Sequence, residues 1–434
     1  MSMTVLGIIG ILALLFIIFV FGIPVGFAMA LVGFVGFSYV LNMSAATNML
    51  ANVIWDTFSN YGLTVIPLFI FMGQIAFYSG INAKLYNAAH KWVGNISGGL
   101  AIATIMACSA FSAICGSNAA TAATMTTVAL PQMKRFKYEP MLSTGAIATG
   151  STMGVVIPPS VVLIIYGLSA EQSIAKLFYG GFGAGILLTL LLSLTVYVLC
   201  KIFPTWGPVG EKSSIREKVQ SLSGAFEMLV LFAVVMIGLF VGLFTPTEAG
   251  AVGSLFAVLL VLIQKKLTWV NFYNTIYDTL KVSCMVFVII TGAMVFGRFL
   301  AITRIPFNIA EWVIGLPFSP VAILSVIFVI YVFGGMLMDS LALLLITIPI
   351  FYPVALKLGY DPIWFGVMIT VITTMGAITP PVGATAYVVS GIAKDVPLEK
   401  VFQGILYFIP AYILAIILMM LFPEIIMYLP GLMK

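Results

Sequence analysis

Apolar positions run along this chain in long stretches separated by short polar breaks. A helix that crosses hydrocarbon needs about 20 predominantly apolar residues, and stretches of that kind recur from the first, Thr4 to about Gly22, almost to the end. The pattern predicts two spans, an amphipathic stretch, a third span, a second amphipathic stretch, a long apolar hairpin, an interrupted span and a final span, then the same order again. Ile81, Leu85, Ala88 and Trp92 share one helical face, as do Trp269, Tyr273, Ile276 and Leu280 in the second half. Such helices either lie in the interface plane or are helix ends dipping out of the bilayer. The expected fold class is an all-α membrane protein.

The second half repeats the first. Tyr138-Glu139-Pro140 returns as Tyr360-Asp361-Pro362, and Ser151-Thr152-Met153-Gly154 with Pro158-Pro159 returns as Thr373-Thr374-Met375-Gly376 with Pro380-Pro381, every pair 222 positions apart. Asp56-Thr57 matches Asp278-Thr279 at the same offset, and Trp92 matches Trp312 at nearly the same one. Gap-free agreement at Gly, Pro and Met is unlike the Leu, Val and Ile that apolar helices share by chance. The expected units are a first repeat over 1–204 (hairpin 96–131, broken span 140–170), a connector over 205–225, and a second repeat over 226–434 (hairpin 318–353, broken span 362–392).

Of the 434 residues, 62% are hydrophobic and 8% charged, which excludes a soluble fold and makes lipid the solvent. The net charge of +5 resides in loops beside apolar spans, so it speaks for topology and against nucleic acid. Five crossings per half is an odd number, and the hairpin adds none, so the second repeat is expected upside down. With the N-terminus outside, only Lys176, Arg298, Arg304, Lys357 and Lys434 of the 19 basic residues stay outside, as the positive-inside rule requires. The polar Lys201 to Ala225 stretch then falls inside. The first apolar stretch lacks a basic n-region and a clear cleavage site and reads as a retained span. Cys108, Cys115, Cys200 and Cys284 show no ligand spacing and read as small buried residues.

Inside hydrocarbon, a non-helical stretch survives only if it is buried in protein or lines a polar cavity. Gly150 to Pro159 and Ile372 to Pro381 are expected to be such stretches, because a double Pro preceded by Gly and Thr unwinds about a turn of helix. Released carbonyls and hydroxyls are hard oxygen ligands suited to sodium, and the following half-helix N-termini suit an anion. A proline kink used only for packing is the alternative. At the hairpin tips, Gly116-Ser117-Asn118 interrupts an apolar run, and Asp339-Ser340 stands in the equivalent place. An ionised Asp between Met338 and Leu341 costs several kcal/mol unless paired, so Asp339 is a candidate cation ligand; a snorkelling or loop aspartate is the alternative. Ser117 to Ser151 and Asp339 to Thr373 are both 34 residues, so each tip can face the break that follows it.

At Gly150 to Gly154 with Ile157-Pro158-Pro159-Ser160, at Thr373 to Gly376 with Thr379-Pro380-Pro381-Val382-Gly383, at Cys115 to Thr121 and at Gly334-Gly335 with Asp339, the sequence resembles the large membrane subunit of the tripartite ATP-independent periplasmic (TRAP) transporters. These belong to a wider superfamily of elevator-type carriers. The resemblance covers essentially the whole chain. It implies sodium-driven uptake of an organic acid, of the C4-dicarboxylate or sialic acid type, across a bacterial inner membrane, with both termini periplasmic. It further implies a small four-helix membrane subunit as scaffold partner, a periplasmic binding protein that delivers substrate, and Na+ as coupling ion with no other cofactor. Carried onto this chain, one sodium site involves Gly116, Ser117, Asn118, Ser151, Gly154 and Pro158, and a second involves Gly335, Asp339, Thr373, Thr374, Gly376 and Thr379. Substrate lies between the tips, near Ser117, Asn118, Thr121, Ser340, Pro159, Pro381 and Gly383. A stand-alone sodium-coupled carboxylate carrier or antiporter of the same superfamily is the nearest rival. An intramembrane enzyme is disfavoured, since His90, the only histidine, is far in sequence from any candidate nucleophile and Asp339 has no evident carboxylate partner. A channel is disfavoured too, because neither filter-like repeats nor charged rings appear.

Overall fold

The computed structural model describes residues 2–210 and 213–433, with the side chains of Ile81, Asn82, Ile114 and Ile314 excepted. Lys212 and Lys434 of the charge balance, and the Ile81 side chain of the amphipathic face, lie outside the described residues. Among the described residues there is no strand, and ten helical segments are long and apolar enough to cross a membrane.

The chain opens with α1 (Met3–Phe21) and α2 (Val25–Val40). The Ser2 hydroxyl caps α1, which ends where Gly22 turns left-handed. Next come α3 (Met43–Ser59), a 3-10 turn at Tyr61–Thr64, α4 (Val65–Tyr78) and α5 (Ile81–Val93). The hairpin is α6 (Gly99–Cys115) and α7 (Asn118–Arg135); α8 (Pro140–Gly150), α9 (Met153–Val156) and α10 (Val161–Ser169) form the interrupted span, and α11 (Ile174–Ile202) closes the first half. The second half begins with α12 (Ile215–Val241) and α13 (Pro246–Ile263), each started by a capping box, Ser214 with Glu217 and Thr245 with Glu248. It continues with α14 (Trp269–Ile302), α15 (Ile305–Ile314), the hairpin α16 (Pro320–Leu337) and α17 (Ser340–Lys357), then α18 (Pro362–Ile378) and α19 (Ala384–Ile392). The last elements are α20 (Leu398–Leu406), α21 (Ile409–Leu421) and α22 (Glu424–Leu432).

The two halves exchange equivalent contacts. α4 packs on α13 while α14 packs on α2; α7 packs on α19 while α17 packs on α10; α8 packs on α20 while α18 packs on α11. Tyr166 of α10 donates to the carbonyl of Pro362 at the start of α18, tying one interrupted span to the other. Pro131 inside α7 and Pro353 inside α17 extend the sequence correspondence into the hairpins.

Three expectations need correction. The 269–280 stretch is not a separate amphipathic helix, since it runs without interruption into the span of α14; its counterpart is α3, which ends where Asn60 turns extended and caps Gly62 with its side chain, while Val282 at the equivalent place continues the helix. α5 corresponds instead to α15. The connector is not all loop, because 215–225 is the start of α12, and the loop before it packs against the turn after α5: Gly98 donates to the Gly207 carbonyl and Gly210 to that of Gly94. Cys108, Cys115 and Cys200 are buried, but Cys284 is exposed, on the outward side of α14.

Glycine sets the closest crossings, as small residues do where helices meet in lipid. A Cβ on Gly404 of α20 would lie 2.1 Å from the Met141 carbonyl oxygen of α8, and one on Gly292 of α14 would lie 2.0 Å from that of Gly26 of α2. Main chain therefore rests on main chain at both places. Gly404→Ala should lower the unfolding midpoint of the solubilised protein by an amount equivalent to about 1–3 kcal/mol of overpacking. Gly391→Ala, where nothing lies within 4 Å of a new Cβ, should leave it unchanged in the same thermal scan.

Candidate functional site

The first tip forms because Gly116 takes φ +60, a conformation that glycine adopts without penalty, and Ser117 then caps α7 through Ala120 N–H at 3.4 Å. The Thr121 hydroxyl donates back to the Ser117 carbonyl at 2.9 Å. The Asn118 Oδ1 is buried and has no hydrogen-bond partner, as do Ser112 Oγ in α6, Thr149 Oγ1 in α8 and Thr385 Oγ1 in α19. Opposite this tip stands the first break. A Cβ on Gly154 would lie 3.1 Å from the Ser117 backbone and 3.2 Å from Asn118 Oδ1, and one on Gly116 would lie 3.0 Å from the Pro159 carbonyl oxygen. Tip and break are in contact.

The break is shorter than its motif suggests. Ser151 and Thr152 separate α8 from the single turn of α9, and only 157–160 is unwound before α10. Pro158 and Pro159, joined by a cis peptide, cannot donate to the Gly154 and Val155 carbonyls. Ser160 takes the second of these with its hydroxyl while capping α10. All of 151–160 is buried.

The second tip is built differently. Asp339 caps α17, its Oδ2 accepting Leu341 N–H at 3.0 Å, and among the described residues no Lys or Arg pairs with it. One turn earlier, a Cβ on Gly335 would lie 2.8 Å from the Thr373 carbonyl oxygen, and one on Gly376 would lie 2.6 Å from that of Val332. The expected unwinding from Ile372 does not occur: α18 continues through Thr373, Thr374 and Gly376 to Ile378, and the break is Thr379 to Gly383, around the cis Pro380-Pro381 peptide. The reason is that Pro380 and Pro381 remove donors only for the carbonyls four residues earlier, Gly376 and Ala377, so nothing upstream is released. Thr373 and Thr374 accordingly turn their hydroxyls onto their own helix, at Thr370 O (2.9 Å) and Val371 O (2.6 Å), and Ser151 does likewise at Ala148 O (2.8 Å). Pro381 and Asp339 are exposed, whereas Ser340 and Gly383 are buried.

The structure thus gathers Gly116, Ser117, Asn118, Gly154 and Pro159 at one point, and Gly335, Thr373 and Gly376 at another. It does not bring Asp339 into hydrogen-bonding contact with Thr379. Among the described residues no three of His, Cys, Asp and Glu cluster at metal-binding distance, so the available donors are carbonyls, hydroxyls, one amide oxygen and one carboxylate. Hard oxygens of this kind suit a monovalent cation.

Tyr412 is a site neighbour that the motifs do not reveal. It is fully buried in α21, and its hydroxyl bonds that of Thr152 in the other repeat. A tyrosine where the first repeat has Leu190 was the available signal, since a buried phenol needs a partner.

Residues 12–425 match the family model described as the DctM component of the tripartite ATP-independent periplasmic transporter. The chain belongs to this family. It is therefore a large permease component of a TRAP transporter and a multi-pass membrane protein. Similar relatives include the C4-dicarboxylate TRAP transporter large permease protein DctM of Pseudomonas aeruginosa, 33% identical over 383 residues (88% of this chain, 89% of that protein). The sialic acid TRAP transporter large permease protein SiaM of Vibrio cholerae is 33% identical over 412 residues, covering 95% of each. In fold alone, this TRAP permease is similar to the Alcanivorax borkumensis YdaH transporter, with a TM-score of 0.68 at 15% identity over 88% of this chain and 90% of that one.

The two glycine contacts differ in tightness, and so should their substitutions. Gly376→Ala, meeting backbone at 2.6 Å, should destabilise the purified permease more than Gly154→Ala, whose nearest atoms stand at 3.1 Å; about 1–3 kcal/mol is expected for the former. Parallel thermal unfolding of the two variants measures the order.

Proposed function

We propose that this TRAP permease imports an organic acid across the inner membrane in symport with sodium, by an elevator movement of the two hairpins and their broken helices. The observation that carries this reading is that the first hairpin tip meets an unwound helix through glycine while the turn just before the second tip meets a helix that unwinds a few residues later, so that oxygen ligands collect at repeat-related positions. The first cation would sit by Ser117, Asn118 and the Gly154 to Pro158 segment, where the orphaned Asn118 Oδ1 supplies a ligand without a competing donor. The second would use Asp339 with Gly335, Gly376 and Thr379. Substrate lies between the tips, its carboxylate facing the first turns of α7, α17 and α19, where Thr121, Ser340 and Gly383 stand.

Charge transport by itself is expensive for an isolated anion, and binding one or more sodium ions beside it lowers that barrier while coupling uptake to the sodium gradient. Sliding is favoured by the clefts that separate hairpin arms from the rest: one of about 380 Å³ between α10 and α17 on one side and α14 with the 3-10 turn on the other, and one of about 280 Å³ between α7 and the α4–α5 corner. The two clefts involve equivalent arms of the two repeats. In the inverted arrangement proposed for the repeats they face opposite leaflets, with both termini periplasmic. A small four-helix membrane subunit and a periplasmic binding protein complete the transporter, and the acid is of the kind that the similar proteins are named for, a C4-dicarboxylate or sialic acid.

Asp339→Asn should abolish sodium-dependent uptake into proteoliposomes holding the complete transporter while the permease still elutes and melts as wild type. Sodium dependence surviving in that variant would remove the second ion site. Uptake by this chain with neither partner present would overturn the tripartite assignment in favour of a stand-alone carrier. Accessibility labelling of cysteines placed beside Tyr138 and Tyr360 should report opposite faces; a common face would end the inverted-repeat reading.

A further inference from the structure

We infer that the corner between α2, α3 and α14 binds the headgroup of one phospholipid, with Arg298 holding its phosphate and Asp56 its primary ammonium. The inference goes beyond ion coupling and does not depend on it.

Asp56-Thr57 and Asp278-Thr279 stand 222 positions apart on equivalent helical segments, yet the structure treats the two aspartates differently. At Asp278 the corner is closed. The Tyr78 hydroxyl at the end of α4 donates to Asp278 Oδ2 at 2.5 Å, and Lys266 donates to the neighbouring Ser79 carbonyl at 3.0 Å. At the same offset Tyr78 corresponds to Leu300, which is fully buried and has no hydroxyl to give, and Ala76 corresponds to Arg298. The corner at Asp56 is therefore left open, and a cavity of about 570 Å³ occupies it, in the size range of small-molecule sites.

Its walls carry both charges. Asn48, Asn52 and Asp56 recur every four residues along α3 and so share one helical face, while Arg298 lines the cavity from α14. Among the described residues none of these four side chains has a hydrogen bond, and Asp56 and Arg298 do not pair with one another. Phe37, Val53 and Ile302 add apolar lining. Trp55 beside Asp56, Tyr39 near the end of α2 and Tyr61 after α3 are all exposed, as aromatic side chains at the level of lipid headgroups are.

A cavity at the membrane interface with apolar lining and unpaired charges of opposite sign fits an amphiphile with a zwitterionic head. The planar guanidinium of Arg298 suits a phosphate, which it can meet with two parallel N–H donors. Asp56 and the amide oxygens of Asn48 and Asn52 are acceptors for an ammonium that still carries N–H groups. A phosphatidylglycerol head brings no cation to Asp56, and a choline head brings a cation with no N–H to donate. Phosphatidylethanolamine supplies both groups. Bound here, it would join α3 to the end of α14 as Tyr78 joins α4 to its beginning.

The full-length permease, alone and with its partner subunits, is delipidated in detergent and titrated with phosphatidylethanolamine, its N-methyl and N,N-dimethyl forms, phosphatidylcholine and phosphatidylglycerol of matched chains. Native mass spectrometry counts the bound lipid. Wild type should hold one phosphatidylethanolamine about tenfold more tightly than phosphatidylcholine or phosphatidylglycerol, with affinity falling along the methylation series, as the loss of hydrogen bonds to a charged group requires. Arg298→Gln should weaken that binding about tenfold or more. Asp56→Asn should erase the preference over phosphatidylglycerol, and Arg304→Gln, at another exposed arginine, should change neither. Neither Arg298 nor Asp56 has a side-chain partner to lose, so both variants should accumulate; Asn52→Ala, on the same wall, gives the same readout if one does not. Equal affinity of wild type for all five lipids, or a preference that survives in these variants, overturns the inference. Lipid held by the permease alone but displaced in the complex would refute it as well, by making the corner a seat for a partner subunit.

Discussion

Main-chain polar groups inside hydrocarbon must find partners within the protein, and this constraint governs the whole architecture. A chain with two Pro-Pro pairs at membrane depth can satisfy it only by wrapping each break in other helices. The first break is wholly enclosed, with Ser160 serving a carbonyl that proline strands. The second is enclosed on one side only, with α16 pressed against α18 through paired glycines and Pro381 left open. Helical hairpins packed against the breaks, glycine at the tips and crossings, and a buried tyrosine between the halves all follow from the need to keep broken helices dry yet adjacent to oxygen donors.

Much of this is written in the sequence, for a physical reason. Gly, Pro and Met at matched positions report backbone geometry, which a duplicated fold has to keep, so the offset of 222 pairs the helix turns at Gly116 and Asp339 and the two cis Pro-Pro peptides. Local unwinding was less legible. Thr373-Thr374-Met375-Gly376 looks like Ser151-Thr152-Met153-Gly154, yet the first is continuous helix and the second is interrupted after Gly150, because the difference is decided by what packs around each segment. Hydroxyls were the least readable of all. Thr373, Thr374 and Ser151 turn back on their own carbonyls, an option open to any Ser or Thr in a helix, and only tertiary contacts tell such a residue from one that faces a ligand. Tyr412 escaped notice because the repeat draws attention to what is shared, and this residue matters by being unmatched.

The two halves are equivalent in plan and unequal in detail. One tip offers an amide oxygen with no partner, the other a carboxylate that caps its own helix. One break is sealed and the other reaches the surface. A strictly symmetric pair would present the same donors at both tips, whereas this pair presents different ones from a single chain.

The crossings at Gly26 with Gly292 and Gly145 with Gly404 set helix separation by peptide atoms alone. A distance fixed in that way does not drift when the Leu, Ile, Val and Phe around it are traded for one another. Such joints act like dowels in joinery: the outer planks can be replaced one by one, and the frame keeps its dimensions.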